Sequence, residues 1–247
     1  SRWHPLASPP PPLADHLLPA ASCTLDFWGM SSRPGAEIIS VEQELERVIP
    51  PINAIKERFP EAVLSIDTVH SKVAKEAIQA GAALVNDISA GSIDPNMYAP
   101  VAELQIPYVL MHMQGTPKTM QLAPQYDDVL QEVLDFFIQE IHQLRNLGLH
   151  DLIIDPGFGF GKTVEQNYEL LANMHAFRIL EVPVLAGVSR KSMIYKLLET
   201  SAEEALHGST AAHVVALQQG ARILRVHDVR AACDAVKIWQ QIENHSR

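Results

Sequence analysis

The sequence predicts an α/β fold, a (β/α)8 TIM barrel in which one βα unit is missing or replaced. Short apolar runs alternate with longer amphipathic segments from residue 24 onward, and a polar residue follows nearly every apolar run. The chain has 247 residues, 47% of them hydrophobic, so it is long enough to enclose one large core. We therefore expect one barrel domain over residues 24–247.

Seven short runs have the length and β-branched content of buried strands, and a helical pattern follows each of them. The strands are expected at 24–27, 63–66, 83–85, 108–111, 152–154, 184–186 and 223–226. The helices are expected at 41–58, 70–80, 95–104, 126–147, 164–180, 202–219 and 229–243. Such alternation is typical of a parallel sheet covered by helices, and seven units leave an eight-unit barrel one unit short.

Polar side chains lie just beyond the ends of the predicted strands. They are Arg33, Asp67, Asn86 with Asp87, His112, Asp155, the run Ser189-Arg190-Lys191, and Arg225 with His227. In a barrel the loops that follow the strands form the active face, so this repeated placement predicts an enzyme. A doubly wound open sheet is the competing architecture, but it would concentrate its chemistry at one switch point.

The first 23 residues differ from the rest of the chain. They contain six prolines, which disfavour regular structure, so we expect an irregular, extended tail over residues 1–23. Cys23 and Cys233 form no CxxC pair, which indicates free thiols and a cytoplasmic location. No apolar run is long enough to span a membrane, and no secretion signal is recognisable.

The net charge of −10 disfavours nucleic acid and anionic membranes as partners, because both would be repelled by the protein surface. An anionic substrate would therefore need locally placed cations. A glycine-rich loop runs from Asp155 to Lys162, directly after an apolar run. It is not a P-loop, because that motif needs glycine where Pro156 stands. It is not a dinucleotide fingerprint either, because that motif needs glycine where Lys162 or Val164 stands. The loop indicates a small-molecule pocket of another kind.

Eight segments, in the same order along the chain, closely resemble the dihydropteroate synthase family. They are residues 31–37, 65–68, 85–88, 111–117, 155–162, 189–192, 208–212 and 225–229. The resemblance implies a barrel that condenses 6-hydroxymethyl-7,8-dihydropterin diphosphate with 4-aminobenzoate, giving 7,8-dihydropteroate and diphosphate. It implies a transferase of folate biosynthesis that acts on small molecules, with Mg²⁺ bound together with the substrate diphosphate. The asparagine that is linked to this metal in the family is absent here, so we expect no metal ligand among the residues of this chain. Relatives also form homodimers, in which the amphipathic last helix, residues 231–242, could pack, although an ordinary barrel helix would have the same pattern.

The matched positions imply a pterin site. Asp67, Asn86 and Asp155 would accept hydrogen bonds from the pterin edge, which suits carboxylate and amide oxygens. Lys191 would supply the cation beside the ring. We expect Lys191, Arg225, Asp67 and Asp155 to be the catalytic residues. The plain alternative is that Asp67 caps the helix that begins near Val69 and that Asn86 and Asp87 merely shape a turn.

The resemblance also assigns the two other substrate groups. Arg33, Arg225 and His227 would bind the diphosphate, because guanidinium groups bind phosphate oxygens in a bidentate manner. The 4-aminobenzoate site would be formed by five residues, Ser32, Pro34, Phe160, Lys191 and Ser192. We expect His112 to be structural, with a role in shaping its loop.

The sequence departs from the family at its opening strand, asparagine-bearing loop and first helix, since Asn53 is the first asparagine. Phe27-Trp28 also stands where the family favours a small pair. We therefore expect pterin binding to survive better than turnover. Two alternatives remain: a truncated, non-catalytic pterin-binding paralogue, and a methyltransferase of the methyltetrahydrofolate type, which would not need the cationic set for a diphosphate.

Overall fold

One parallel sheet of seven strands underlies the fold, with the strands in chain order from β1 to β7. The structure is a computed structural model that describes residues 24–30, 37–120 and 124–246. The strands are β1 Thr24–Trp28, β2 Val63–Asp67, β3 Leu84–Asp87, β4 Tyr108–Met111, β5 Leu152–Asp155, β6 Val184–Ala186 and β7 Ala221–Leu224. The expected α/β class and its seven repeats are thereby confirmed. The expected tail, residues 1–23, lies outside the described residues.

Helices separate the strands, as a chain of right-handed βα connections requires. They are α1 Val41–Arg58, α2 Ser71–Gln79, α3 Tyr98–Leu104, α4 Val129–Asn146, α5 Val164–Asn173, α6 Ser192–Leu197, α7 Leu206–Gln218 and α8 Val229–Glu243. A 3₁₀ helix, Met174–Leu180, follows α5 directly. In the described part of the chain, no helix is both long and apolar enough to cross a membrane.

The chain divides into two compact units. Unit 1 consists of Ser1–Val109 with Leu144–Asp151, and unit 2 of Leu110–Gln143 with Leu152–Arg247. The single domain expected over residues 24–247 stays a prediction.

Unit 1 is built around β2 and β3, whose side chains are almost all buried. Helix α1 begins with a capping box, in which Ser40 Oγ accepts a hydrogen bond from the Gln43 N–H. In the same box, the Gln43 side-chain oxygen accepts a hydrogen bond from the Ser40 N–H. Its apolar stripe, including Val48, Ile52 and Ile55, is buried. Asp67, the last residue of β2, lies at the end of this buried strand.

Unit 2 repeats this design with β5, β6 and the helices that follow them. Helix α5 also begins with a capping box, formed by Thr163 and Gln166. Phe137 and Phe177 are both fully buried and pack edge to face, with ring centroids 5.7 Å apart. The apolar core therefore fixes the ends of these strands, from which Asp155 and the glycine-rich loop emerge.

Three features of the structure differ from the predicted elements by more than a shift of a helix end. Strand β7 lies two residues earlier than expected, because Val184 pairs with Ala221 and the ladder shifts register after Val184. The helix expected at 164–180 continues past Asn173 as a 3₁₀ helix. The short helix α6 is absent from the predicted elements, since six residues give too little periodicity to recognise.

Candidate active site

Two predicted pterin ligands are neighbours in unit 1. Asp67 is the last residue of β2 and lies opposite Asn86 of β3 in the parallel ladder. Both are nearly buried, and the Thr68 N–H donates to the Asn86 carbonyl over 3.0 Å, joining the two strand ends. On the other side, Trp28 pairs with Asp67 in register and is half exposed. The structure therefore brings the carboxylate and the amide together beside an indole ring.

The neighbouring Asp87 has a different task. Its buried carboxylate accepts four bonds, from the Ser89 N–H and hydroxyl, the Gly91 N–H and the Tyr108 hydroxyl, over 2.6–2.8 Å. Burial raises the pKa of Asp87, and these donors oppose the rise. Asp87 thus shapes the loop after β3, as the plain alternative proposed for this residue.

The plain alternative is wrong for Asp67. Helix α2 begins at Ser71, and its N-cap residue is His70, so Asp67 does not hold the capping position. The Ser71 N–H instead donates to Asp94, over 2.8 Å. Asp67 is therefore not the residue that caps the start of α2.

Unit 2 gathers the predicted cations around Asp155. This carboxyl is buried, and its Oδ1 accepts from the Gly157 N–H over 2.8 Å. A methyl group added at Gly187 would lie 3.7 Å from Asp155 Oδ2 and 3.8 Å from Arg225 Cβ, so the two side chains flank this glycine. Burial raises the pKa of Asp155, while the Gly157 N–H and the charges of three cations, Lys191, Arg225 and Lys162, oppose the rise.

Phe160 and Lys191 are also in contact. The ammonium of Lys191 lies 4.2 Å from the centroid of the Phe160 ring, which is a cation–π geometry. A methyl group at Gly159 would lie 3.2 Å from Lys191 Cδ, so the glycine leaves room for the lysine stem. Lys191 immediately precedes α6, and Ser192 is the first residue of that helix. The structure therefore brings together the expected ring-binding phenylalanine and the expected cation.

His227 is held by Ser189. The Ser189 hydroxyl lies 3.2 Å from the His227 backbone nitrogen and 3.0 Å from its ring Nδ1. Burial lowers the pKa of His227, with the charge of nearby Arg190 acting in the same direction. The imidazole is thus favoured in its neutral form, and it can offer one N–H to an anion.

Arg190 is committed to internal contacts. Its guanidinium donates from Nε and Nη2 to the two oxygens of Asp228, both over 2.8 Å, and from Nη1 to the carbonyls of Ala202 and Glu203. Its backbone is left-handed, with φ of 52°. Arg190 therefore fixes the loop that carries Ser189 and Lys191.

Lys162 has no role among the sequence-based predictions, although the residue lies in a recognised segment. The side chain is almost completely buried, and its Nζ lies 3.0 Å from His112 Nδ1 and 3.0 Å from the Phe160 carbonyl. His112 is thus a structural partner, and burial together with the Lys162 charge lowers its pKa to about 2. The signal in the sequence is a lysine that ends a glycine-rich loop.

Three predicted site residues, Ser32, Arg33 and Pro34, lie outside the described residues. Over residues 24–30, 37–120 and 124–246, no group of three or more His, Cys, Asp or Glu side chains could hold a metal ion.

Comparison with known proteins identifies the class. Residues 20–227 match the family model described as pterin binding enzyme, and the chain belongs to this family. Its relatives within the family are dihydropteroate synthases. The enzyme of Escherichia coli K12 is 46% identical over 227 residues, which cover 91% of this chain and 80% of the relative. That of Haemophilus influenzae is 41% identical over 93% of this chain and 84% of the relative.

Solved structures agree with this assignment. The Yersinia pestis dihydropteroate synthase in a sulfonamide drug complex matches with a TM-score of 0.90 and 40% identity, over 94% of this chain and 84% of the other. The Xanthomonas albilineans dihydropteroate synthase with 4-aminobenzoic acid matches with a TM-score of 0.85 and 43% identity, over 93% of this chain and 84% of the other. The expected TIM-barrel-like α/β class is thereby confirmed.

Proposed function

We propose that this chain condenses 6-hydroxymethyl-7,8-dihydropterin diphosphate with 4-aminobenzoate, with the residue roles given below. The activity itself, dihydropteroate synthase, a transferase of folate biosynthesis, is that of the family and its relatives. One observation carries the proposal: a buried carboxyl, Asp155, lies among Lys191, Arg225 and Lys162. A carboxyl can accept the N–H groups of a pterin edge, while cations attract a diphosphate.

The pterin is assigned to the acceptors at the matched positions, Asp67, Asn86 and Asp155. In unit 1, Asp67 and Asn86 present a carboxylate and an amide side by side. In unit 2, Asp155 presents a second carboxyl, and Lys191 donates to the ring carbonyl. Because the pterin edge carries several N–H groups, paired acceptors select it over rings that lack them.

The diphosphate is bound by Arg225 and His227, together with Arg33. A guanidinium fork matches two phosphate oxygens, and the neutral His227 adds a single donor. Mg²⁺, which this family uses, would bind with the substrate diphosphate and neutralise part of its charge. We assign the ion to the substrate diphosphate and name no protein ligand for it.

The reaction is a displacement at the pterin methylene carbon. The arylamine nitrogen forms a bond to this carbon as the bond between the carbon and the diphosphate oxygen breaks. Diphosphate leaves with the electron pair, and the new ammonium group releases its proton to solvent. Electron donation from the pterin spreads the positive charge that develops, and Asp67, Asn86 and Asp155 stabilise it. Phe160, Lys191 and Ser192, with Ser32 and Pro34, hold the 4-aminobenzoate in line for attack. A dihydropteroate synthase from Xanthomonas albilineans has been solved in complex with 7,8-dihydropteroate, which supports this product.

A test measures pterin binding and turnover separately. Calorimetric titration with a pterin analogue reports binding, and a coupled assay of diphosphate release reports turnover. Asp155→Asn should lower kcat/KM by about 100-fold or more, the usual cost of removing a group that stabilises developing charge. Asp151→Asn is the matched control, because Asp151 is exposed and should leave both readouts unchanged.

A folded chain that binds no pterin would overturn the proposal. Binding without any diphosphate release would favour the non-catalytic paralogue. Comparison of the two readouts also tests the expectation that pterin binding survives better than turnover.

We also propose a cytoplasmic homodimer that binds neither nucleic acid nor membrane. An apolar groove between α7 and α8 supports self-association, and Ile238 and Ile242 of α8 are more than half exposed. Ile238→Glu should then convert a dimer into a monomer, as measured by sedimentation equilibrium. A wild-type chain that sediments as a monomer would contradict this part.

A further inference from the structure

Lys162 lies in a cage of acceptors. Besides His112 Nδ1 and the Phe160 carbonyl, its Nζ lies 3.1 Å from the Gly157 carbonyl and 3.3 Å from the His112 carbonyl. The side chain is only 3% exposed. Lysine is rarely buried this completely unless it is paired, so the cage requires an explanation beyond ordinary packing.

The cage joins two loops of unit 2. His112 follows β4, and Gly157 and Phe160 follow β5, while the His112 N–H donates to the Asp155 carbonyl over 3.0 Å. The backbones touch here, because a methyl group at Gly157 would collide with the His112 carbonyl oxygen. Gly157 also has a left-handed φ of 69°, which suits glycine. The Lys162 ammonium thus braces the junction from which Asp155 and Phe160 emerge.

The charges that face this junction are few and come from several elements. Asp155 ends β5, Lys191 precedes α6, Arg225 follows β7 and His112 follows β4. Burial lowers the pKa of Lys162 to about 7, with Asp155 opposing the change and Lys191 adding to it. In turn, the charge of Lys162 lowers the pKa of Asp155 and so opposes part of the rise that burial causes. The charge on each of the two groups therefore favours the charged form of the other.

We propose that Lys162 is a positioning residue for the pterin-binding carboxyl, which fixes the loop around Asp155 and keeps that carboxylate ionised. The inference rests on the proposed function, since it gives Asp155 the task of accepting pterin N–H groups. An ionised carboxylate only accepts hydrogen bonds, whereas a protonated one would present a donor to the pterin donors. A lysine that served only as a mechanical brace would not affect the titration of Asp155.

The test compares Lys162→Met with Lys162→Arg, and Lys75→Met serves as a control on an exposed lysine. Methionine keeps the unbranched stem and removes the charge, whereas arginine retains the charge. The Asp155 carboxyl carbon is followed by ¹³C NMR across pH without substrate, and its signal is assigned with Asp155→Asn. In Lys162→Met the titration midpoint of the Asp155 carboxyl should rise by about one pH unit, which is a tenfold change in its acid dissociation constant. Lys162→Arg should restore part of this shift, and Lys75→Met should cause none.

A second measurement keeps the test decisive if Lys162→Met does not fold. By reciprocity, Asp155→Asn should lower the midpoint of Lys162, followed through ¹⁵N of its ammonium group. In the enzyme assay, the acidic limb of kcat/KM for the pterin substrate should move to higher pH in Lys162→Met, while kcat at high pH changes little.

The outcomes separate the two claims. If neither midpoint responds to loss of the partner, the inference is wrong, whatever the activity of the chain. If the midpoints respond as expected but the wild-type chain binds no pterin at any pH, the coupling of Lys162 to Asp155 stands and the proposed function fails.

Discussion

Glu44 in unit 1 and Lys162 in unit 2 are both buried charged side chains, but their surroundings differ. Lys162 is surrounded by four acceptors at 3.0–3.3 Å. Neither oxygen of Glu44 has a hydrogen bond of normal geometry to a residue that the structure describes, and His70 Nε2 lies 3.9 Å from Oε2. Burial raises the pKa of Glu44 to about 7, while the Thr68 side chain opposes the rise and the charge of Asp67 adds to it.

The difference shows that burial alone does not define the role of a charged group. In unit 2 the Lys162 ammonium connects two loops, because backbone carbonyls from both loops surround it. In unit 1 the carboxyl is packed against Gly29, where a methyl group would lie 2.7 Å from Glu44 Cγ, and its burial favours the neutral form. We therefore expect the stability of unit 2 to be sensitive to changes in its loop geometry and the stability of unit 1 to be sensitive to pH.

The largest effect is expected at the loop junction of unit 2. Gly157→Ala combines a left-handed backbone with a collision against the His112 carbonyl, so it should lower the free energy of unfolding by about 3 kcal/mol or more. Gly148→Ala in unit 1 is the matched control: its φ is 86°, but no atom lies within 4 Å of the added methyl group. Its cost should be about 1–2 kcal/mol, from the backbone alone. Urea unfolding of both variants measures the difference, and equal costs would show that the junction is not tightly packed.

The next effect concerns Glu44 and pH. Its folded pKa, about 7, lies above the ordinary value of 4.5, so the folded state binds the proton more tightly. Stability from this group is therefore present below pH 4.5 and is lost as pH rises through 7. Relative to wild type, Glu44→Gln should gain about 1–3 kcal/mol between about pH 4 and about pH 8. Urea unfolding at both pH values checks this, and a constant difference would contradict it.

A smaller effect is expected from the Arg190–Asp228 pair of unit 2. Arg190→Lys loses the bidentate geometry and the bonds to the Ala202 and Glu203 carbonyls, so it should cost about 1–2 kcal/mol. Arg230→Lys is the control, because the Arg230 side chain is 90% exposed in its pair with Asp234 and should lose only about 0.3 kcal/mol. The KM for pterin diphosphate should rise in Arg190→Lys alone, since the loop carries Lys191. A similar loss of stability in both variants would argue against a special role for Arg190.

The smallest effect on stability is expected at the capping boxes, which both units share. Ser40→Ala in unit 1 and Thr163→Ala in unit 2 each remove one capping box. Each should cost about 0.5–2 kcal/mol, because helix N–H donors lose their side-chain acceptor. Thermal unfolding followed by circular dichroism would measure both. A much larger loss for one of them would mean that its helix end also supports a loop.

Much of the fold could be predicted from the sequence because the relevant signals are local. Apolar runs set β2 to β6 to within one or two residues, and the serine and threonine before α1 and α5 mark helix starts. The predicted position of β7 is two residues late, because the pairing of Val184 with Ala221 is a property of the sheet. The candidate site could be predicted less fully: Asp67 with Asn86, and Asp155 with Arg225, do lie together, while Lys162 received no role.

The sequence by itself determined the alternation of strands and helices, the polar residues that end the strands and the resemblance to a family. These follow from side-chain periodicity and short motifs, which depend on residues close together in the chain. The tertiary structure alone decided which charges are buried and what surrounds them. Lys162 meets His112 across 50 positions and Arg190 meets Asp228 across 38. Because the energy of a buried charge depends on such distant partners, neither Glu44 nor Lys162 could be understood before the chain was folded.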